Sequence, residues 1–150
     1  MDIFYFTENY LADAIRLARH FAEKYDGVLS EGIGVAKPFP APPKTGAFLS
    51  EDVRFVRVEC RDRMYCVAFV SEDNPPVSER KYRNKSLYRV LMGEEIKAAR
   101  ERRGISLGEV AERSGFREHS LQRIEEGRWD FDMSQLGVIL EAIGAKVKIE

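Results

Sequence analysis

"GFREHSLQRIEEGR", Gly115–Arg128, is the stretch on which the reading of the chain turns. Leu121 and Ile124 recur at helical spacing, Gly115 opens the segment and Gly127 closes it. Three basic residues (Arg117, Arg123, Arg128) stand against three acidic ones (Glu118, Glu125, Glu126). The segment is therefore a short amphipathic helix whose polar side is locally neutral.

The pattern continues on both sides. A helix is expected over about Gly93–Arg103, with Ile96 and Ala99 on its buried side and Gly104 as its stop. Ser106 caps a second helix, with Glu109 three residues later completing a capping box. Val110 and Ala111 face inward, and Gly115 stands where two helices meet at a sharp angle. The third helix is expected over Arg117–Glu126. Asp132 or Ser134 caps a fourth, which carries Leu136, Ile139, Leu140 and Ile143 and ends at Gly144. "AKVKI" beyond it alternates apolar and polar residues, the pattern of a short strand.

"IKAARERRGISLGEVAERSGFREHSLQRIEEGR" (Ile96–Arg128) and "LGVILEAIGAKVKI" (Leu136–Ile149) together resemble the Xre family of helix-turn-helix regulators, the fold of the lambdoid phage repressors. The resemblance covers about Leu91–Ile149, roughly two-fifths of the chain. It rests on an ordered set: an Arg in the first helix, the Val-Ala pair, the turn Gly, Ile-Glu-x-Gly closing the third helix, and an apolar fourth helix. It implies a structural pair between Arg100 and Glu125, since a guanidinium can take a carboxylate in two parallel hydrogen bonds. It also implies that Glu118, His119, Gln122 and Arg123 read bases in the major groove. Arg123 suits guanine, Gln122 adenine, and Glu118 the amino group of cytosine. Arg117 and Arg128 flank the helix and suit phosphates, as does the amide-rich start of the second helix near Ser106. In many family members a Gln near the start of the second helix braces the DNA backbone. Here Leu107 stands in its place, followed by Gly108.

Residues 1–85 carry no such resemblance. A strand is expected at Asp2–Phe6, then a helix capped by Thr7, with Leu11, Ala14, Ile15, Ala18, Phe21, Ala22 and Tyr25 as its apolar stripe and Gly27 as its left-handed stop. "GIGVAKPFPAPPKTG" (Gly32–Gly46) reads as a rigid surface connection, pinned by Val35, Phe39 and Phe48, or as a polyproline docking strip. Val53–Val70 reads as a β-hairpin. If Asp62-Arg63 is a two-residue loop, Cys60 faces Tyr65, and Val56, Val58, Cys60, Tyr65, Val67 and Phe69 share one face. Cys60 and Cys66 then lie on opposite faces and do not bridge. Ser71–Ser86 reads as a polar linker whose second part is basic. Arg80, Lys81 and Arg83 are its candidate phosphate contacts.

The expected organisation is an α+β N-terminal domain, a helix plus a β-hairpin sheet, over residues 1–72. A basic linker spans 73–85, and an all-α helix-turn-helix domain of four or five helices spans 86–150. The net charge of −1 excludes a global basic field, so any nucleic-acid binding is local. No apolar run approaches the ~20 residues of a membrane helix, and the N-terminus lacks a signal's basic region, which points to the cytoplasm. No metal site or cofactor is expected from Cys60, Cys66, His20 and His119, and no pairing of nucleophile and base suggests an enzyme. The expected function is sequence-specific, dimeric DNA binding in transcription regulation, with double-stranded DNA as partner. The alternative is a protein-binding module, or an antitoxin whose residues 1–72 hold a protein partner.

Overall fold

The computed structural model describes residues 1–35 and 52–150. The chain forms two compact units, Met1–Leu87 and Tyr88–Glu150. In the first, strand β1 (Asp2–Tyr10) leads directly into helix α1 (Leu11–Tyr25), followed by β2 (Val28–Val35), β3 (Asp52–Glu59) and β4 (Arg63–Ser71). The sheet order is β1-β4-β3-β2, with β1 parallel to β4 and the other pairs antiparallel. The second unit is all-helical.

β1 is longer than the sequence suggests. Pairing with β4 carries it through Thr7↔Ala68 and Glu8↔Phe69 to Tyr10↔Ser71, so Thr7 is a strand residue and not the expected cap. Tyr10 occupies the cap position of α1 without a side-chain hydrogen bond. At the other end of the helix Asp26, not Gly27, takes the left-handed conformation (φ 51°). Gly27 is needed for another reason. A Cβ there would lie 2.6 Å from Val58 Cγ1 and 2.7 Å from Cys60 Sγ, so the chain can pass β3 that closely only without a side chain.

The hairpin turn sits one residue earlier than expected. Cys60 N–H donates to Arg63 O at 2.9 Å, so Arg61-Asp62 forms the loop and Val58 faces Tyr65. Moving the turn centre by one residue shifts every cross-strand partner by two, which leaves each side chain on its expected face. Val56, Val58, Tyr65 and Val67 are buried together with Ala14, Leu17, Ala18 and Phe21 of α1. An aromatic group completes this core. The Phe21 and Tyr65 rings stack at 3.8 Å, and Phe4 and Tyr25 stack on Tyr65 at 5.1 and 5.6 Å. Burial pushes the Tyr65 hydroxyl far above its ordinary pKa.

The opposite face is also apolar. Cys66 and Ala68 are buried there, with Tyr5, Phe55 and Met64 packed against them. Both cysteines are free and buried, and burial raises the pKa of each thiol. β2 was not expected. It takes Val28–Val35, which includes the first residues of the connection anticipated at Gly32–Gly46, as an edge strand on β3. The rest of that connection, with Phe39 and Phe48, lies outside the described residues.

Residues 73–85, expected as a linker, belong to the first unit and hold a 3₁₀ helix, Val77–Tyr82. Arg83, expected to contact phosphate, donates to Asp13 Oδ1 from both Nε (3.1 Å) and Nη2 (2.7 Å). Asp13 is only 2% exposed. Asn84 adds to the cluster with its amide nitrogen 3.3 Å from Asp13 and its oxygen 3.1 Å from Arg16. Ser86 N–H donates to Glu8 Oε1 at 3.3 Å. Arg83 thus neutralises a buried carboxylate inside the first unit. Arg80 and Lys81 are exposed, with the Lys81 ammonium 5.0 Å from the Tyr82 ring.

Arg83→Ala should leave Asp13 buried with its charge uncompensated and lower the stability of the first unit by about 1–3 kcal/mol. Lys81→Ala should leave it unchanged within ~0.5 kcal/mol. Chemical denaturation of the two variants checks this; equal midpoints would contradict the role given to Arg83.

Candidate nucleic-acid interface

The second unit contains most of α2 (Lys85–Arg102), then α3 (Leu107–Ser114), α4 (Glu118–Glu125) and α5 (Met133–Ile143). The helix expected at about Gly93–Arg103 begins eight residues earlier, at Lys85. Ile96, Ala99, Val110, Leu121, Ile124, Leu136, Ile139, Ala142 and Ile143 form one core. Gly93 is not a helix start but a crossing point. A Cβ there would sit 2.3 Å from Ile124 O and 2.6 Å from Glu125 O, so α2 packs against the end of α4 at glycine distance.

Local signals set the helix ends. Ser106 Oγ accepts from Glu109 N–H at 3.1 Å and caps α3. The reciprocal half differs from a capping box: the Ser106 hydroxyl faces the Glu109 carboxylate at 3.3 Å. Gly115 turns the chain with φ 81°, and its N–H donates to Ala111 O. Asp132 caps α5, in a complete capping box with Gln135. No strand forms after Gly144. "AKVKI" takes no regular structure, and Val147 and Ile149 are exposed.

α4 is held by its buried side. Arg100 Nε donates to Glu125 Oε2 at 2.7 Å and Nη2 to Oε1 at 2.9 Å, while Nη1 donates to Ile105 O at 2.9 Å. The two side chains are 12% and 7% exposed. The Glu125 carboxylate raises the pKa of the Arg100 guanidinium further. α4 ends in a Schellman motif. Gly127 takes φ 76°, its N–H donates to Ile124 O (3.1 Å), and Arg128 N–H donates back to Arg123 O (2.8 Å). A Cβ on Gly127 would lie 2.5 Å from Val90 Cγ2 and 2.6 Å from Val90 Cα.

With Leu121, Ile124 and Glu125 buried, Arg117, Glu118, His119, Gln122 and Arg123 are all exposed. Arg117 stands at the cap position of α4 and makes no side-chain cap. Glu118 lies beside the start of α3, its Oε2 3.9 Å from where a Gly108 Cβ would be. Leu107 is half-buried and packs on the core. It fills space at the position where the resemblance implies a backbone brace.

The local neutrality of Gly115–Arg128 resolves into separate pairs. Glu125 is matched to Arg100 inside the fold. Glu126 lies between Gln122 and Arg128: Gln122 Nε2 donates to its Oε1 and Arg128 Nη1 approaches its Oε2, each at 3.4 Å. Two residues here were not singled out from sequence. One is Glu126, which the sequence offers only as one acidic residue of the segment. The other is Trp129, the chain's single tryptophan, whose ring lies 5.7 Å from the Arg123 guanidinium carbon. An exposed tryptophan directly after a helix-stopping glycine is a signal that could have drawn attention to it.

Among the described residues no group of three or more His, Cys, Asp or Glu is arranged to hold a metal ion. Nor is any helix among them long and apolar enough to cross a membrane. Residues 91–148 match the family described as helix-turn-helix domain. No curated protein and no solved structure matches the chain. The match covers α2 from Leu91 through α5 and supports a helix-turn-helix DNA-binding domain in this part of the chain.

Arg100→Ala should strip Glu125 of its partner while leaving it buried, a loss of about 3–5 kcal/mol that melts or unfolds the second unit. A thermal melt followed by helical circular dichroism checks this; a curve overlaying the wild type would contradict it.

Proposed function

We propose that the chain is a sequence-specific DNA-binding transcriptional regulator of the Xre type, which reads the major groove with α4. One observation carries this reading: α4 buries Leu121, Ile124 and Glu125 and leaves Arg117, Glu118, His119, Gln122 and Arg123 exposed on a helix that follows a tight Gly115 turn. These are the side-chain types that match base edges. Arg123 offers paired donors to guanine O6 and N7, Gln122 a donor and an acceptor to adenine, and Glu118 an acceptor to cytosine N4. Arg117 and Arg128 suit phosphates, and they set position without reading sequence.

The acidic residues account for a reader of modest charge. Glu118 favours one base edge while repelling phosphate, so selectivity rises as general affinity falls. The protein acts as a homodimer on a near-palindromic site, because two-fold-related recognition helices enter successive major grooves about 34 Å apart. Residues of the first unit serve as a dimerising, sensing or partner-binding part. An antitoxin that represses its own operon is a special case of this reading.

Electrophoretic shift at two salt concentrations tests it. Binding to any duplex should weaken steeply as salt rises, because phosphate contacts release condensed counterions. Arg117→Ala should weaken all duplexes alike and lower the salt slope by about one unit. Absence of a shift at low salt would favour a protein-binding module on the same helical scaffold.

A further inference from the structure

The geometry points to Trp129 as a positioning residue for Arg123, fixing which base pair α4 discriminates best; this rests on the DNA-reading function proposed above. The Schellman turn places Trp129 there. Arg128 N–H returns to Arg123 O at 2.8 Å, so the residue that follows emerges beside the Arg123 side chain and not beyond the helix end. The indole then lies 5.7 Å from the Arg123 guanidinium carbon, within reach of a cation–π contact, and is 41% exposed. Asp132 caps α5 three residues later, which anchors the far side of the short connection.

A long arginine on an exposed helix face samples many rotamers. Ordering it on the base edge is unfavourable by the entropy of those rotamers. A flat ring alongside the guanidinium leaves its edge donors free while restricting its swing, because stacking uses the face and base reading uses the rim. The neighbours divide the labour. Gln122 and Arg128 both turn to Glu126, while the ring contact of Arg123 is to Trp129. Gln122 and Arg123, the side chains given two-point contacts with adenine and guanine, are therefore each pre-oriented by a residue at or just beyond the end of α4. The path also requires Gly127, since the turn has φ 76° and no space for a Cβ against Val90.

The test compares base preferences of full-length wild type, Arg123→Ala, Trp129→Ala and Trp129→Phe, each selected against a pool of random duplexes. Trp129→Ala should relax preference at the same base pair as Arg123→Ala, by about 2–5-fold in relative affinity, the range of an exposed cation–π contact. Trp129→Phe should restore most of it, and adding Trp129→Ala to Arg123→Ala should change nothing further. Helical circular dichroism of Trp129→Ala should match wild type, which separates positioning from folding. If wild type shows preference and Trp129→Ala keeps it in full, or weakens every duplex alike, the role given to Trp129 is overturned and the DNA-reading function stands. If wild type itself shows no preference among duplexes, both are overturned.

Discussion

The Arg100–Glu125 pair is the constraint on which the second unit depends. α4 is a helix of eight residues, too short to be stable alone in water. Its position has to be imposed from outside. Leu121 and Ile124 supply burial, but apolar contacts are non-directional and would tolerate rotation or sliding. The two parallel hydrogen bonds from α2 tolerate much less. A third, from Arg100 to Ile105 O, ties the turn before α3 into the same node. Gly93 lets the backbones of α2 and α4 approach closely enough for this to happen. Burying such a pair is weak evidence for net stability, since desolvation offsets much of the attraction. What the geometry supplies is a fixed orientation for the exposed face of α4.

That orientation gives the charges of Gly115–Arg128 their meaning. Glu125 belongs to the fold, Glu126 to the arrangement of Gln122 and Arg128, and Glu118 to the exposed face. A count over the segment gives neutrality, but the exposed side chains differ in what they hold free. The first unit uses a related device for a different end. Asp13 is more deeply buried than Glu125, and Arg83 and Asn84 satisfy it from the segment that follows the sheet. In both places a carboxylate out of water requires a specific partner, and that partner fixes a short element with little apolar surface of its own.

The parts legible in the sequence were those decided locally. Ser106 and Asp132 cap helices through bonds three residues away, and Gly115 and Gly144 turn the chain with φ 81° each. Hydrophobic spacing placed Leu121, Ile124, Leu136 and Ile139 in the core because helical period is a property of a few consecutive turns. The faces of β3 and β4 were legible although the turn was misplaced, since a two-residue shift of partners preserves alternation. What sequence missed depends on distant partners. β1 runs past Thr7 because β4 pairs with it from 61 residues away. The Arg83 guanidinium looked free because its partner Asp13 is 70 positions earlier. β2 was hidden by Gly32 and Gly34, which strand propensity disfavours and an edge strand tolerates. Helical periodicity does not bring Trp129 to α4, because a turn returns it there.

The exposed face of α4 is proposed to read a DNA sequence. Selection of duplexes by the full-length protein from a random pool, at salt high enough to suppress phosphate-only binding, tests it most directly. One short sequence should be enriched in two inverted half-sites about one helical turn apart, with a guanine among the selected positions of each. A retained pool as random as the input, from protein that is folded and concentrated enough to shift DNA at low salt, would contradict it.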